Sequence, residues 1–186
     1  LPGTARGVEA VCRARGPHEL ESLIDAPQII GERAAALLQD RSLTTPAGAI
    51  ELRLGDCRQA AEPCPVMYDV IFLEPTTIEQ APELLTVDFA RRLAQCLAPH
   101  GILAAPLASN IFRAALKIAG LAVGCTTSRV LRRGGTVAAH RVDALPATLN
   151  ARDCAALDSP WQLRPFRDPE LTRSRKQILY ARRAHV

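Results

Sequence analysis

The sequence lacks the features of membrane and secreted proteins. No apolar run in its 186 residues approaches the roughly 20 residues that span a bilayer. The opening segment LPGTARG has neither the charged part nor the apolar part of a signal peptide. We therefore expect a soluble protein of the cytoplasm.

Patterns typical of metal centres and disulfide frameworks are missing as well. The six cysteines form no CxxC pair, and the four histidines are isolated from one another and from the cysteines. A metal site needs clustered ligands, and a chain of this length can bury a core large enough to fold without disulfides. We expect no metal, and buried free thiols at the cysteines.

The chain has little charge imbalance before its C-terminal end. Residues 161–186 hold seven basic and two acidic side chains, whereas the whole chain has a net charge of +4, so the preceding part is nearly neutral. A basic tail on a neutral body indicates a polyanionic partner, with nucleic acid as the first choice. The alternative is a solvated helical face.

The chain does contain an alternation of strand and helix patterns. Strands are predicted at residues 19–25, 49–54, 68–73, 101–105, 121–129 and 136–141. Helices are predicted at residues 8–15, 27–40, 58–62, 84–98 and 110–119, and a polar turn at 44–48. Asn110 is expected to cap the last of these helices and Gly120 to end it.

The last two predicted strands decide the topology. The turn Arg132-Arg133-Gly134-Gly135 between them leaves no room for a crossover helix, so the two strands must be antiparallel. A mostly parallel sheet with one reversed strand at its end is typical of Rossmann-like, class I methyltransferases. We predict this α/β fold for residues 1–142 and a basic extension for 143–186. No strand pattern precedes Gly3, so the first strand is expected to be missing or degenerate.

Three acidic residues stand at the carboxyl ends of predicted strands, where open α/β sheets bind their ligands. Asp25 would hold ribose hydroxyls, although it could equally cap the helix that follows. Asp56 and Glu74 follow the next two strands, where a cofactor and a substrate would meet. Gly3 and Gly7, at the start of the first helix, suit a loop whose backbone amides approach a ligand.

The central block resembles a known family. The segments YDVIFLEP (68–75) and LAPHGIL (97–103) are similar to S-adenosylmethionine-dependent methyltransferases. Two groups look close: the spermidine synthases, and the methyltransferase domain of the tRNA 5-methylaminomethyl-2-thiouridine biosynthesis protein. The tail favours the second group, because RGGTVAA (133–139) and PFRDPEL (165–171) resemble the ending of stand-alone relatives of that domain.

This resemblance implies a reaction and a set of site residues. The reaction is methyl transfer from S-adenosylmethionine to the aminomethyl group of a modified wobble uridine in tRNA, with a separate oxidase acting earlier as a further partner. Gly3 and Gly7 match the cofactor loop of the family, and Asp56 with Cys57 matches the segment that lies beside the adenine.

Other positions depart from the family pattern. Glu74 replaces the Asp near the reacting amine, where it would accept a proton and stabilise the cation formed; alternatively it caps local amides or pairs with an arginine. The ribose-binding acid of the family falls at Leu23, two positions before Asp25. Thr76 and Leu85 stand where the family has Phe and Trp, so two surfaces that could stack on a base are absent.

Phosphate contacts are expected from basic side chains of the last turn and the tail, and such contacts fix position without reading sequence. They are Arg132, Arg133, Arg164, Arg167, Arg173 and Arg175. Three functions stay open: a tRNA methyltransferase, an aminopropyltransferase of the spermidine synthase kind, and a non-catalytic RNA-binding relative. The basic tail argues against the second function. The third is favoured by the lost aromatics and by Pro2 and Arg6, which make the cofactor loop atypical.

Overall fold

The computed structural model describes residues 7–14, 39–45, 48–60, 67–75, 77–126 and 134–184. The chain divides into two compact units, Leu1–Ala60 and Ala61–Val186. The boundary predicted at residue 142 lies inside the second unit and stays a prediction.

The first unit contains an antiparallel sheet with the order β1-β3-β2. Its strands are β1 (Gly7–Ala14), β2 (Ser42–Thr45) and β3 (Gly48–Gly55). β1 pairs with β3 along its whole length, from Gly7 opposite Gly55 to Ala14 opposite Gly48. A short helix, α1 (Cys57–Ala60), follows β3, close to the helix predicted at 58–62.

One local prediction for this unit is wrong, and the bounds of another need correction. Residues 8–15 were expected to be helical, because Val8, Val11 and Cys12 have helical spacing, yet 7–14 form strand β1. Pairing with a strand much later in the chain satisfies the backbone there, and local periodicity carries no sign of it. The turn predicted at 44–48 is too long, because Thr44 and Thr45 belong to β2 and Gly48 to β3, but the chain does reverse between these paired strands. The strand predicted at 49–54 is confirmed, but its neighbours are antiparallel.

The second unit contains a four-stranded sheet with the order β4-β5-β7-β6. The strands are β4 (Tyr68–Phe72), β5 (Leu97–Ala105), β6 (Ala122–Cys125) and β7 (Thr136–Ala139). β4 and β5 are parallel, while β7 is antiparallel to β5 and to β6. The predicted antiparallel pairing of the last two strands is confirmed, and the reversed strand lies inside the sheet between β5 and β6.

Two capped helices supply much of the core of this unit. Thr86 caps α2 (Val87–Cys96) by accepting a hydrogen bond from the Phe89 amide at 3.1 Å. Ser109, rather than the predicted Asn110, caps α3 (Asn110–Ile118) through the Phe112 amide. Phe89 and Phe112 are fully buried, and each such side chain stabilises the fold by about 1.5–3 kcal/mol.

The two helices end differently: α3 ends at a glycine, whereas α2 leads directly into strand β5. Gly120 has a positive φ of 94°, a conformation that favours glycine, and it ends α3 as predicted. The helix predicted at 84–98 is shorter at both ends. A 3₁₀ helix, Pro82–Leu85, precedes its cap, and β5 already begins at Leu97.

The C-terminal extension, residues 143–186, which we call the tail from here on, packs within the second unit. It forms α4 (Ala151–Leu157), α5 (Arg175–Ala184) and the 3₁₀ helices Val142–Ala144 and Pro160–Leu163. Phe166 and Ile178 are buried, and the Val87 amide donates to the Phe166 carbonyl at 3.0 Å. These contacts secure the tail beside the start of α2.

Strand β4 is less buried than its apolar sequence predicts. Val70 is 51% exposed and Phe72 is 78% exposed, whereas Leu73 is buried. β4 is the edge strand of the described sheet, and apolar composition alone does not distinguish an edge strand from a central one.

Three further observations concern the cysteines, possible metal ligands and possible membrane spans. Cys96 is buried, but Cys57 and Cys125 are half-buried and Cys154 is exposed, so burial was overestimated. Within the described ranges, no group of three or more possible ligands could hold a metal ion. The helices of the described part are too short or too polar to cross a membrane.

Candidate active site

Glu74 stands at one edge of the four-stranded sheet. β4 and β5 are parallel, so their carboxyl ends share this edge, and the Leu73 amide extends the pairing by donating to the Ala104 carbonyl at 2.9 Å. Glu74 is the next residue and is exposed. We call this side of the sheet the carboxyl edge. An exposed carboxylate at a carboxyl edge is in the position where open α/β sheets contact ligands.

A buried arginine that sequence reasoning missed organises the neighbouring part of this edge. Arg113 on α3 is 3% exposed. Its guanidinium donates to the Thr136 hydroxyl at 3.2 Å and to the Gly135 carbonyl at 3.4 Å. The Thr136 hydroxyl in turn donates to the Leu107 carbonyl at 2.6 Å. Arg113 thereby ties α3 to the start of β7 and to the loop that follows β5.

The charge of Arg113 is balanced by an acid from the tail. Its Nη1 lies 2.8 Å from Oδ2 of Asp153 on α4 and 3.3 Å from the Asn110 side-chain oxygen. The hydrogen bond from Asn110, followed by the charge of Arg113, holds the pKa of Asp153 below its ordinary value despite partial burial. The carboxylate therefore stays ionised and keeps the buried cation paired.

Gly135 is needed where β7 meets β5. Its amide donates to the Thr126 hydroxyl at 2.7 Å, which joins the end of β6 to the start of β7. A Cβ at this position would overlap the Ala105 carbonyl oxygen, so only glycine fits without a shift. The predicted phosphate contacts Arg132 and Arg133 lie outside the described residues.

A second acid lies on the same connection as Glu74. Glu83 belongs to the 3₁₀ helix Pro82–Leu85, and its Oε2 atom is buried with no hydrogen-bond partner among the described residues. Buried polar atoms are nearly always paired, so such an atom requires an explanation. The sequence places Glu83 three residues before the Thr86 cap but gives no sign of this burial.

The first unit brings several predicted cofactor residues together. Gly7 pairs with Gly55, which precedes Asp56 and Cys57, so all of these lie at one end of the antiparallel sheet. The predicted setting of Gly7 is wrong, since it begins a strand rather than a loop before a helix. Gly3 and Asp25 lie outside the described residues. Asp56 and Glu74 belong to different units.

Asp56 has a partner that the sequence did not indicate. The Arg58 guanidinium donates to both carboxylate oxygens, with Nη2 at 2.6 Å from Oδ2, and the Arg58 amide donates to Oδ1 at 3.0 Å. The side-chain hydrogen bond from Arg58 lowers the pKa of Asp56, and partial burial opposes it. The carboxylate is thus ionised and about one third exposed.

The predicted phosphate-binding arginines of the tail fall into two groups. Arg164, Arg173 and Arg175 are exposed. Arg167 instead donates twice to the Asp88 carboxylate, from Nε and Nη2 at 3.0 Å each. The start of α5 adjoins the connection that carries Glu74 and Glu83, because Arg175 donates to the Gln80 carbonyl at 3.5 Å and α5 packs against Pro82–Leu85.

An open groove of about 740 Å³ lies at the opposite edge of the sheet. Met67, Leu97 and Pro99 line it where β4 and β5 begin, and His140 and Arg141 line it just beyond the end of β7. This is the amino edge of the parallel strands, away from Glu74. The groove and Glu74 therefore lie at opposite edges of the sheet.

Comparison with known proteins assigns the chain to a family. Residues 28–141 match the model of a family of S-adenosyl-L-methionine-dependent methyltransferases. The chain belongs to this family. The predicted class of fold and the predicted cofactor are thereby confirmed. No curated protein matches the methyltransferase chain.

Solved structures give a more specific likeness. The methyltransferase is similar to MnmC2 from Aquifex aeolicus, with 25% sequence identity and a TM-score of 0.61. The match covers 69% of this chain and 41% of that one. The methyltransferase therefore spans less than half the length of this structural neighbour.

Proposed function

We propose that this methyltransferase acts on tRNA, at the aminomethyl group of a modified wobble uridine. The observation that carries the proposal is the position of Glu74, an exposed carboxylate at the carboxyl edge, on a connection that the basic tail contacts through Arg175. The likeness to MnmC2 supports the class of substrate. An earlier-acting oxidase partner remains a prediction from resemblance.

Glu74 would handle the proton of the substrate amine. An alkylamine is mostly protonated at neutral pH and needs a free lone pair to attack an electrophilic carbon. Bound S-adenosylmethionine supplies that carbon as a methyl group on a sulfonium. Glu74 would accept the amine proton and pass it to solvent before transfer. The carboxylate, charged again, would then stabilise the methylated ammonium that forms when the methyl group leaves the sulfonium. The side chain requires accurate placement, since a misplacement of about 1 Å can cost roughly a hundredfold in rate.

Gly7, Asp56 and Cys57 would hold the adenosine end of the cofactor. Two observations fit this role: the Asp56 carboxylate is kept ionised while one third exposed, and the side chain is absent at Gly7, beside Gly55. An ionised carboxylate accepts hydrogen bonds from hydroxyl or amino groups. Gly3 and Asp25 remain predicted members of the same site.

Exposed arginines of the tail would bind tRNA phosphates. Arg164, Arg173 and Arg175 are suitably exposed, and such contacts weaken steeply as salt concentration rises. Arg132 and Arg133 remain predicted contacts. Arg167 is hydrogen-bonded to Asp88, so it would support the segment that carries these arginines and would not itself bind phosphate.

The first experiment is calorimetric titration of the protein with S-adenosylhomocysteine, the stable product of the reaction. We expect micromolar binding that is weakened by Asp56→Ala and unchanged by Asp143→Asn, an acid outside the proposed site. Glu74→Gln should retain this binding but lose methyl transfer to undermodified tRNA, whereas Glu74→Asp should keep part of the activity.

One observation favours a second candidate, a non-catalytic RNA-binding relative. Arg58 engages both oxygens of Asp56, which competes with a ligand for that carboxylate. Failure of a folded protein to bind S-adenosylhomocysteine would select this candidate over the enzyme.

A further inference from the structure

Two adjoining segments of the tail, residues 160–164 and α5, carry exposed aromatic and basic side chains. Trp161 is 53% exposed and Tyr180 is 74% exposed. Arg182 on α5 donates to the Arg164 carbonyl at 2.7 Å and to the Leu163 carbonyl at 3.4 Å, so the helix lies beside the segment that carries Trp161. Large apolar side chains that remain exposed on adjoining segments are candidates for an interaction site.

The outward face of α5 is basic around one aromatic ring. Lys176, Tyr180 and Arg183 follow the spacing of one helix face, and all three are exposed. Ile178 points the other way and is buried. We define the aromatic-basic surface as the exposed side chains of the two adjoining segments, namely Trp161 and Arg164 on the first and Lys176, Tyr180 and Arg183 on the second.

The Trp161 ring is held in place rather than left loose. The Arg167 guanidinium carbon lies 5.6 Å from the ring centroid, a distance typical of a cation–π contact. Arg167 is itself fixed by its two hydrogen bonds to Asp88, which also accepts from the Asp168 amide at 2.7 Å. The ring is therefore preorganised, which lowers the entropy lost when a partner binds.

We propose that the aromatic-basic surface binds single-stranded RNA, with a base stacked on Trp161 and phosphates paired with Arg164 and the outward face of α5. This inference rests on the proposed function and specifies how that substrate is held. Stacking on an aromatic ring beside cations is the general mode of single-strand binding. Trp161 is thus an exposed aromatic ring available for stacking, whereas Leu85 is buried and has no ring.

The composition of the surface favours RNA over other partners. A membrane-binding helix needs a continuous apolar face, whereas the outward face of α5 alternates charge with a single tyrosine. An acidic protein would satisfy the charges without requiring a fixed tryptophan ring. Arg167 acts here as a positioning residue, because its guanidinium is already bound to Asp88.

The test uses the single tryptophan of the chain, whose fluorescence reports on Trp161 alone. The full chain is titrated with a single-stranded oligouridine and, in parallel, with inorganic polyphosphate of similar charge. We expect oligouridine to quench the fluorescence and polyphosphate to leave it unchanged. Binding of labelled oligouridine should fall roughly five- to hundredfold in Trp161→Ala and much less in Trp161→Phe.

Matched variants separate the surface from general charge. Lys176→Gln and Arg183→Gln should weaken RNA binding and reduce its salt dependence, while Arg141→Gln, an exposed arginine at the groove, should not. Arg167→Met should lower the steady-state anisotropy of Trp161 and weaken RNA binding by less than Trp161→Ala. Circular dichroism confirms that each variant is folded.

Three results would overturn the inference. They are RNA binding without quenching, equal binding of polyphosphate and RNA, and a blue shift on phosphatidylserine vesicles with no response to RNA. Failure of the proposed function would give results distinct from failure of the RNA-binding surface. If tRNA is not methylated but oligouridine still quenches Trp161, the surface stands and the enzyme assignment fails; if Trp161→Ala methylates tRNA with unchanged KM, the reverse holds.

Discussion

Two arginines of the second unit each join a distant acid, but their surroundings differ. Arg113 is 3% exposed and binds Asp153, Asn110, Thr136 and Gly135. The Arg167 side chain is 40% exposed and binds Asp88 with its edge, while its face lies against Trp161. A buried arginine can only hold the fold together, whereas a half-exposed one can do so and also support a surface that contacts a partner.

The largest effect is expected from Arg113→Met. Methionine fills similar space but leaves Asp153 without its cation. It also removes the donor to the Thr136 hydroxyl and the Gly135 carbonyl. Removing one partner of a buried ion pair usually costs 3–5 kcal/mol; because Asp153 is partly exposed, we expect a loss of about 3 kcal/mol in the free energy of unfolding, measured by urea denaturation. The double variant with Asp153→Asn should recover part of it. A loss below about 1 kcal/mol would show that the network is not a main support of the fold.

A smaller loss is expected from Asp88→Asn. This change removes the charge that Arg167 binds, at a site where the Asp88 side chain is 10% exposed, and we expect a loss of about 1–2 kcal/mol. Asp143→Asn is the matched control, because Arg141 and Asp143 form an Arg–Asp pair of similar geometry that is exposed on both sides. Its denaturation midpoint should not move. Equal shifts in the two variants would contradict the comparison.

The lowered pKa of Asp88 predicts that the stability of the protein depends on pH. Burial raises the pKa of Asp88, but the hydrogen bonds from Arg167 and the Asp168 amide outweigh it, so the pKa lies below the ordinary value of 3.8. A depressed pKa contributes stability that is present above the unfolded value and lost as pH falls through the folded value. The difference in melting temperature between the natural protein and Asp88→Asn should therefore shrink between about pH 5 and pH 3. A constant difference would rule out this linkage.

The smallest expected change has the opposite sign. Unlike Asp153 and Asp88, Glu83 has no arginine partner in the described part of the chain, and its Oε2 atom is buried without a hydrogen bond there. Glu83→Gln should raise the free energy of unfolding by about 1 kcal/mol, since a neutral amide is less costly to bury unpaired. Methyl transfer should fall at the same time, because functional sites often retain groups that cost stability. Glu79→Gln, an exposed glutamate on the same connection, should change neither. Destabilisation by Glu83→Gln would indicate a structural partner.

Features that depend on neighbouring residues could be predicted from the sequence, whereas contacts between remote residues could not. Elements with local signals were predicted: α3 stops just before Gly120, and β4 ends two residues before Glu74. The role of Arg113 could not be predicted, because one arginine in the helix NIFRAALKI carries no sign of acceptors on β7 and α4. PFRDP was identified as distinctive, but Arg167 was expected to bind phosphate, since its partner Asp88 lies 79 residues away. Strand β1 was predicted as a helix for the same reason, its partner being remote.

The place of β7 in the sheet has a consequence for how the protein is made. β6 is synthesised before β7, yet in the described sheet β6 reaches β5 only through β7. Until residues 136–139 have left the ribosome, β5 and β6 lack the strand that joins them, and unpaired strand edges favour association with other chains. A nascent chain that pauses before Thr136 is thus more prone to aggregation than one released after Ala139.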